Sequence, residues 1–296
     1  MHEPDIMLCM KHTPARIIAF FTITLTVLVA PVFSQVTFAE GSQAGPGYVA
    51  LGDSVAAGAG LPVTDPSDEA KACGRSAQGY PALLAPSVDS PFTDLACGGA
   101  TVMAGIMGPQ TTNGVTVPAQ IDRAFEQGVP KLITISIGTN DVNWSNVINK
   151  CYSSTCGTWQ DTRDAAKLEY AYYKNLHNTL ETIKRRAENA SVTPHVILVG
   201  YYKPVSNQQP SCGDTAPLTS SEISWIRAQV NIINGIMKAN ALQYGFADYA
   251  PVDFSGHEFC SAQPWVQGLG SRAPFHPNAA GQAAIAQAIL AKLHEQ

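Results

Sequence analysis

The chain has 296 residues, 45% of them hydrophobic and 14% charged, with 18 Lys and Arg against 23 Asp and Glu and a net charge of -5. That is enough apolar material for a full core in one or at most two domains. No stretch gathers basic residues between aromatics, so nucleic acid is set aside as a partner.

The amino end places Lys11 and Arg16 before the apolar run Ile17–Ala30, which stops at Pro31 and is followed by small residues around Thr37-Phe38-Ala39. That order predicts a secretory signal peptide over residues 1–39, because the run falls short of the roughly 20 apolar residues of a spanning helix. Translation starting at Met10 would give a more compact leader. Export follows, with a secreted, extracellular product and no stable membrane span once the leader is gone. Residues 40–47 read as a flexible lead-in, and no Pro/Ser linker or repeat divides residues 48–296, which are expected to form one domain.

Short runs apolar on both faces predict buried strands at Tyr48–Leu51, Leu132–Ile137 and His195–Gly200, with weaker ones near Thr93–Ala96 and Phe246–Tyr249. Between them, Leu168, Tyr172, Leu176, Leu180 and Ile183 fall on one helical stripe. Ile223, Ile226, Val230, Ile233 and Met237 fall on another, opened by a capping box at Thr219 and Glu222. A last helix follows Asn278, with Ile285, Ile289 and Leu293 facing inward. Strand and helix alternate, which predicts an α/β fold: a three-layer α/β/α sandwich around a mainly parallel sheet, with chemistry at the carboxyl ends of the strands.

Of the 7 cysteines, Cys9 lies in the leader, and the even number left in an exported chain suggests disulfides. Grouping along the chain favours Cys73 with Cys97, Cys151 with Cys156 and Cys212 with Cys260. No CxxC pair or Cys and His cluster at zinc spacing occurs, so neither a metal nor another cofactor is expected.

The strand ends carry Gly52-Asp53-Ser54 and Gly138-Thr139-Asn140-Asp141, and the loop before the last helix carries His276-Pro277-Asn278. A serine hydroxyl is a weak nucleophile until a base takes its proton, so Ser54 and His276 at one sheet edge form the minimum machinery for acyl transfer. GDSV at 52–55, the Gly-Ala pair in DLACGGAT at 94–101, GTND at 138–141 and HPNAAGQ at 276–282 together resemble the four blocks of GDSL-type SGNH hydrolases. CGRSAQGYPALLA at 73–85 resembles the secreted, disulfide-bonded lipase and esterase branch of actinobacterial type. The resemblance implies a five-stranded, flavodoxin-like sheet. It makes Ser54 the nucleophile, His276 the general base, and the Ser54 amide, the Gly99 amide and the Asn140 side chain the oxyanion hole. Gly98 is a one-residue rival to Gly99.

The family usually places an Asp three residues before the histidine, where this chain has Ala273. In the secreted branch a main-chain carbonyl can orient the imidazole, which implies a dyad steadied by the Ala273 carbonyl, with Asp253 as the alternative acid. Asp53 and Asp141 are read as hydrogen-bonding loop amides around the site rather than as acids or metal ligands. His257 is the only other plausible site histidine. Trp144, Trp159, Tyr201, Tyr202, Trp265 and Phe275 are candidates for an aromatic rim, equally readable as small satellite cores. The expected substrate is a lipid or simple carboxylic ester, and the expected state a monomer. A polysaccharide O-acetyl esterase or an acyltransferase would use the same constellation, and a catalytically silent binding module is the non-enzyme alternative.

Overall fold

Val, Ile and Leu dominate the three strongest runs and leave no polar face for water, so each run needs cover on both sides. The computed structural model describes residues 47–88, 91–190, 192–207 and 218–295. In chain order, β1 (Tyr48–Gly52) runs into α1 (Ser54–Ala57), then α2 (Asp68–Cys73), α3 (Tyr80–Leu84) and β2 (Phe92–Asp94). Next come β3 (Gln110–Thr112), β4 (Val115–Val117), α4 (Gln120–Phe125) and β5 (Leu132–Ser136). The chain continues through α5 (Trp144–Ser153), α6 (Trp159–Ala187), β6 (His195–Val199), α7 (Ser220–Ala241), β7 (Ala247–Ala250) and α8 (Ala279–Leu293).

The sheet has five strands in the order β2-β1-β5-β6-β7, every neighbouring pair parallel. Every residue of β1 and β5 is buried, because α3 packs on α8 and α6 on α7 to cover the sheet. Strand order reverses between β1 and β5, and such a reversal opens a crevice at the carboxyl edge where doubly wound sheets bind ligands. Ser54 leaves β1 there, and Asn140 follows β5.

The inward stripe of α7 is as expected: Ile223, Ile226, Val230, Ile233 and Met237 are all buried, and Thr219 and Glu222 form the capping box. On α6 the stripe starts later than the sequence suggests. Leu168 is 38% exposed, whereas Tyr172, Leu176, Leu180 and Ile183 are fully buried. In the early turns of α6 only the small Ala165 is buried. The antiparallel pair β3 and β4 lies outside the main sheet and was not expected. Its turn is Asn113-Gly114, both at positive φ (48° and 77°), the dipeptide that favours a tight hairpin.

Cys73 is bonded to Cys97 and Cys151 to Cys156, as expected. Cys260 is disulfide-bonded as well; the partner expected for it, Cys212, lies outside the described residues, as does the leader over 1–39. Among the described residues, no helix is long and apolar enough to cross a membrane.

Candidate active site

The position of Ser54 is set by backbone. Gly52 ends β1 at φ +150°, and a Cβ there would lie 2.4 Å from the Ser136 carbonyl, so only glycine lets β1 and β5 approach this closely. The buried Gln120 side chain grips both polar groups of that residue: Oε1 accepts from the Gly52 amide at 2.8 Å and Nε2 donates to its carbonyl at 2.9 Å. Asp53 caps α1 by accepting from the Val55 amide at 2.9 Å. Its second oxygen accepts from the Tyr201 hydroxyl at 2.5 Å and the Thr139 hydroxyl at 2.9 Å. Burial raises the Asp53 carboxyl above its ordinary range, opposed by those three donors. Asp53 therefore does more than bond a loop amide: it ties the nucleophile turn to the loop after β5 and to the residues after β6. Gln282 of α8 adds a further tie, donating to the Val55 carbonyl at 3.0 Å and accepting from the Tyr80 amide at 2.9 Å.

Three hydrogen-bond donors surround Ser54. Its own amide opens α1, where intrahelical partners are missing. In the second block, the Gly98 amide donates to the Cys73 carbonyl at 2.8 Å and the Ala100 amide to the Cys97 carbonyl at 3.1 Å. The amide of Gly99, an exposed residue at φ +79°, stays uncommitted. Of the two rival glycines, Gly98 thus has its amide committed to the Cys73 carbonyl. Asn140 Nδ2 donates to the Ala100 carbonyl at 2.9 Å, which orients the amide group and leaves its second hydrogen for the cavity. Asp141 faces away: both its oxygens accept from the Val102 amide at 3.1 Å, and burial pushes its carboxyl up to about 7.

His276 Nε2 lies 2.7 Å from Ser54 Oγ. With the ring proton on Nδ1, Nε2 accepts the serine hydroxyl and Nδ1 donates to a carbonyl 3.2 Å away, which belongs to Pro274 and not to the expected Ala273. The Ala273 carbonyl is occupied, accepting from the His276 backbone amide at 3.2 Å and so closing the turn 273–276. Asp253 is not the acceptor either. It is exposed, and its Oδ1 takes the Ser255 amide at 3.0 Å and the Ser255 hydroxyl at 2.6 Å, which hold its carboxyl below the ordinary range. His257 stacks flat on Trp265 at 3.8 Å, and its Nδ1 lies 2.8 Å from the Gln263 carbonyl, removed from the site.

The histidine loop is fastened by Gln267. Its amide donates to the His276 carbonyl at 2.8 Å and its carbonyl accepts from the Phe275 amide at 3.0 Å. Its Nε2 donates to the carbonyls of Ala59 at 2.7 Å and Pro277 at 3.1 Å, linking the loop to the nucleophile side. Asn278 starts α8 with Oδ1 accepting from the Gly281 amide at 3.0 Å.

Ser54, Gly99, Asn140 and His276 open onto one cavity of about 630 Å³. Trp144, Tyr201, Tyr202 and Phe275 line it, as the aromatic-rim reading expects. Trp159 does not; it is 73% exposed beneath the Arg163 guanidinium. Trp265 does not either, since it packs on His257 and edge-on to Phe254. The sequence reading missed the aliphatic walls supplied by Ile148, Val230 and Ile233, whose helical spacing looks the same for a core face and a cavity face. Among the described residues, no group of three or more His, Cys, Asp or Glu is placed to hold a metal ion.

A serine and a histidine in hydrogen-bond contact at the carboxyl edge of a doubly wound parallel sheet, with free donors beside them, have the layout of an acyl-transfer enzyme. Residues 50–284 match the GDSL-like Lipase/Acylhydrolase family, and the chain belongs to it. It is a carboxylic ester hydrolase. The chain is 32% identical over 260 residues to Lipase 2 of Streptomyces coelicolor, covering 81% of this chain and 83% of the relative. It is 28% identical to Lipase 1 of the same organism, covering 90% and 94%. Among solved structures it is similar to an extracellular lipase from Streptomyces rimosus, with a TM-score of 0.64 and 27% identity over 82% of this chain and 98% of that one.

Proposed function

We propose that the protein is a secreted lipase or esterase that hydrolyses lipid or other acyl esters through an acyl-enzyme on Ser54, with His276 as general base. The observation that carries this reading is the 2.7 Å contact between Ser54 Oγ and His276 Nε2 at the mouth of a largely apolar cavity. Ser54 Oγ attacks the ester carbonyl carbon while its proton passes to Nε2. The oxyanion accepts hydrogen bonds from the Ser54 and Gly99 amides and Asn140 Nδ2, donors already in place before charge develops. As the C–O bond breaks, Nε2 returns the proton to the departing alcohol, and the acyl group remains on Ser54. Water then attacks the acyl-enzyme, giving a proton to His276, which passes it to Ser54 Oγ as the acyl–Oγ bond breaks and the carboxylic acid leaves. Through both steps the Pro274 carbonyl accepts from Nδ1–H, which fixes the tautomer and steadies the imidazolium. Tyr202, Val230, Ile233 and Phe275 form the apolar side of the cavity and fit an acyl chain.

Support for export comes from the leader-like amino end, the disulfides and the likeness to an extracellular Streptomyces lipase. The test is a chain-length series of p-nitrophenyl esters with wild type, Ser54→Ala and His276→Ala. Each substitution should lower kcat by roughly 10⁴-fold or more, and an organophosphonate should label wild type once, on Ser54. Retained hydrolysis in Ser54→Ala overturns the assignment.

A further inference from the structure

We infer that Phe275 and Tyr202 are positioning residues for the base: a left-handed backbone at Phe275, held by the Tyr202 hydroxyl and an aromatic pocket, aims the Pro274 carbonyl at His276 Nδ1. The inference rests on the Ser54–His276 reading above and explains why no carboxylate is needed beside it.

Phe275 sits at φ +65°. The other non-glycine positive-φ residues among those described are Asn113, Asn143 and Cys260, and asparagine visits that region readily, whereas a bulky side chain there is an outlier. Such a conformation persists only where the surroundings over-determine it. Here the ring lies 5.1 Å from that of Phe259 and 5.7 Å from that of Tyr152. The amide donates to Gln267, and the carbonyl accepts from the buried Tyr202 hydroxyl at 2.7 Å. Tyr202 is itself stacked on Phe254 at 4.2 Å.

The geometric consequence is specific. The turn 273–276 has Pro274 in second place and a positive φ in third, the pattern of a type II turn. It differs from a type I turn, in which both central residues have negative φ, by a flip of the central peptide. That central peptide carries the Pro274 carbonyl. In the conformation present, this carbonyl points out of the turn to His276 Nδ1 at 3.2 Å, while the Ala273 carbonyl closes the turn. Relaxing Phe275 to negative φ turns the Pro274 carbonyl away and leaves Nδ1 without its acceptor.

The test sets backbone preference against apolar bulk at residue 275. Phe275→Asn and Phe275→Gly accept the left-handed region but lose the ring; Phe275→Leu keeps most of the apolar volume but resists that backbone. Phe275 also lines the cavity, so KM shifts in all three and kcat is the quantity to read. We expect kcat of the Leu variant to lie roughly tenfold or more below that of the Asn and Gly variants, all three being compared with one another because each loses the ring from the cavity wall. Urea midpoints should run the opposite way, with Leu the most stable of the three. The ¹⁵N shifts of the His276 ring should show the Nδ1–H tautomer kept in the Asn and Gly variants and mixed in the Leu variant. Tyr202→Phe should reproduce the tautomer mixing and lower kcat severalfold. A Leu variant at least as active as Asn and Gly, with an unchanged tautomer, overturns the positioning role. Failure of the phosphonate to label wild-type Ser54 would instead bring down the dyad reading on which it stands. Two permissive variants keep the comparison alive if one of them fails to fold.

Discussion

Ser54 stands at the end of a strand buried along its whole length, with its preceding peptide gripped by Gln120 and its capping aspartate held by three donors. His276 stands at the end of residues 251–278, a stretch with isolated bridges but no helix or strand, fastened by Gln267, the Phe275 turn and stacked aromatics. The nucleophile is placed by the sheet, and the base by side chains on a loop. Disturbance of the first region should therefore register mainly as lost folding, and of the second as lost turnover. The donors between them belong to neither pattern, because the role proposed for them is to act on charge that develops during reaction.

The largest effect away from the dyad should come from those donors. Asn140→Ala is expected to lower kcat about 10²- to 10³-fold, the usual loss for one oxyanion donor, with stability little changed. Single-turnover kinetics would confirm that the chemical step is the one slowed. The sharpest contrast between the two regions is a pair of glutamine substitutions. Gln120→Ala leaves the buried Gly52 amide unpaired, while its carbonyl keeps the Cys97 amide at 3.0 Å, and should cost about 1–3 kcal/mol of stability. Gln267→Ala frees the carbonyls of Ala59 and Pro277 in a part-buried setting; it should cost about 1 kcal/mol or less but lower kcat several-fold as the base loses its alignment. Urea unfolding and kcat measured on both variants would break the comparison if the two costs were reversed.

A pH dependence of stability is expected on the nucleophile side as well. Burial pushes the Asp141 carboxyl up to about 7, so between about pH 4 and that value the folded chain holds a proton that the unfolded chain releases. Its contribution to stability is thus complete below about pH 4 and is lost as pH rises to about 7. In Asp141→Asn, that part of the fall in urea midpoint should disappear.

Local features were legible in the sequence, and contacts closed across long distances were not. Ser54, Asn140 and His276 stand at strand and helix ends that periodicity locates, so their convergence could be read from topology. Gln120, Gln267 and Gln282 could not, because each serves a backbone group 68, 208 or 227 residues away, and a buried glutamine looks like a solvated one in sequence. The acceptor for His276 lies one residue later than spacing predicts. Spacing counts residues, but the orientation of one peptide plane decides between Ala273 and Pro274, and that orientation follows from a positive φ at Phe275 that no residue preference announces. The β3–β4 hairpin is the opposite case, since its turn is marked locally by Asn113-Gly114.

The contact between His276 Nδ1 and the Pro274 carbonyl has a bearing on acid tolerance. A carboxylate that steadies a histidine can itself take up a proton and fall silent, so such a site has two groups that acid can disarm. A peptide carbonyl does not protonate at any pH at which the chain stays folded, and no change of side chain at residue 274 deletes it. The steadying partner is thereby taken out of the reach of acid and of most point substitutions.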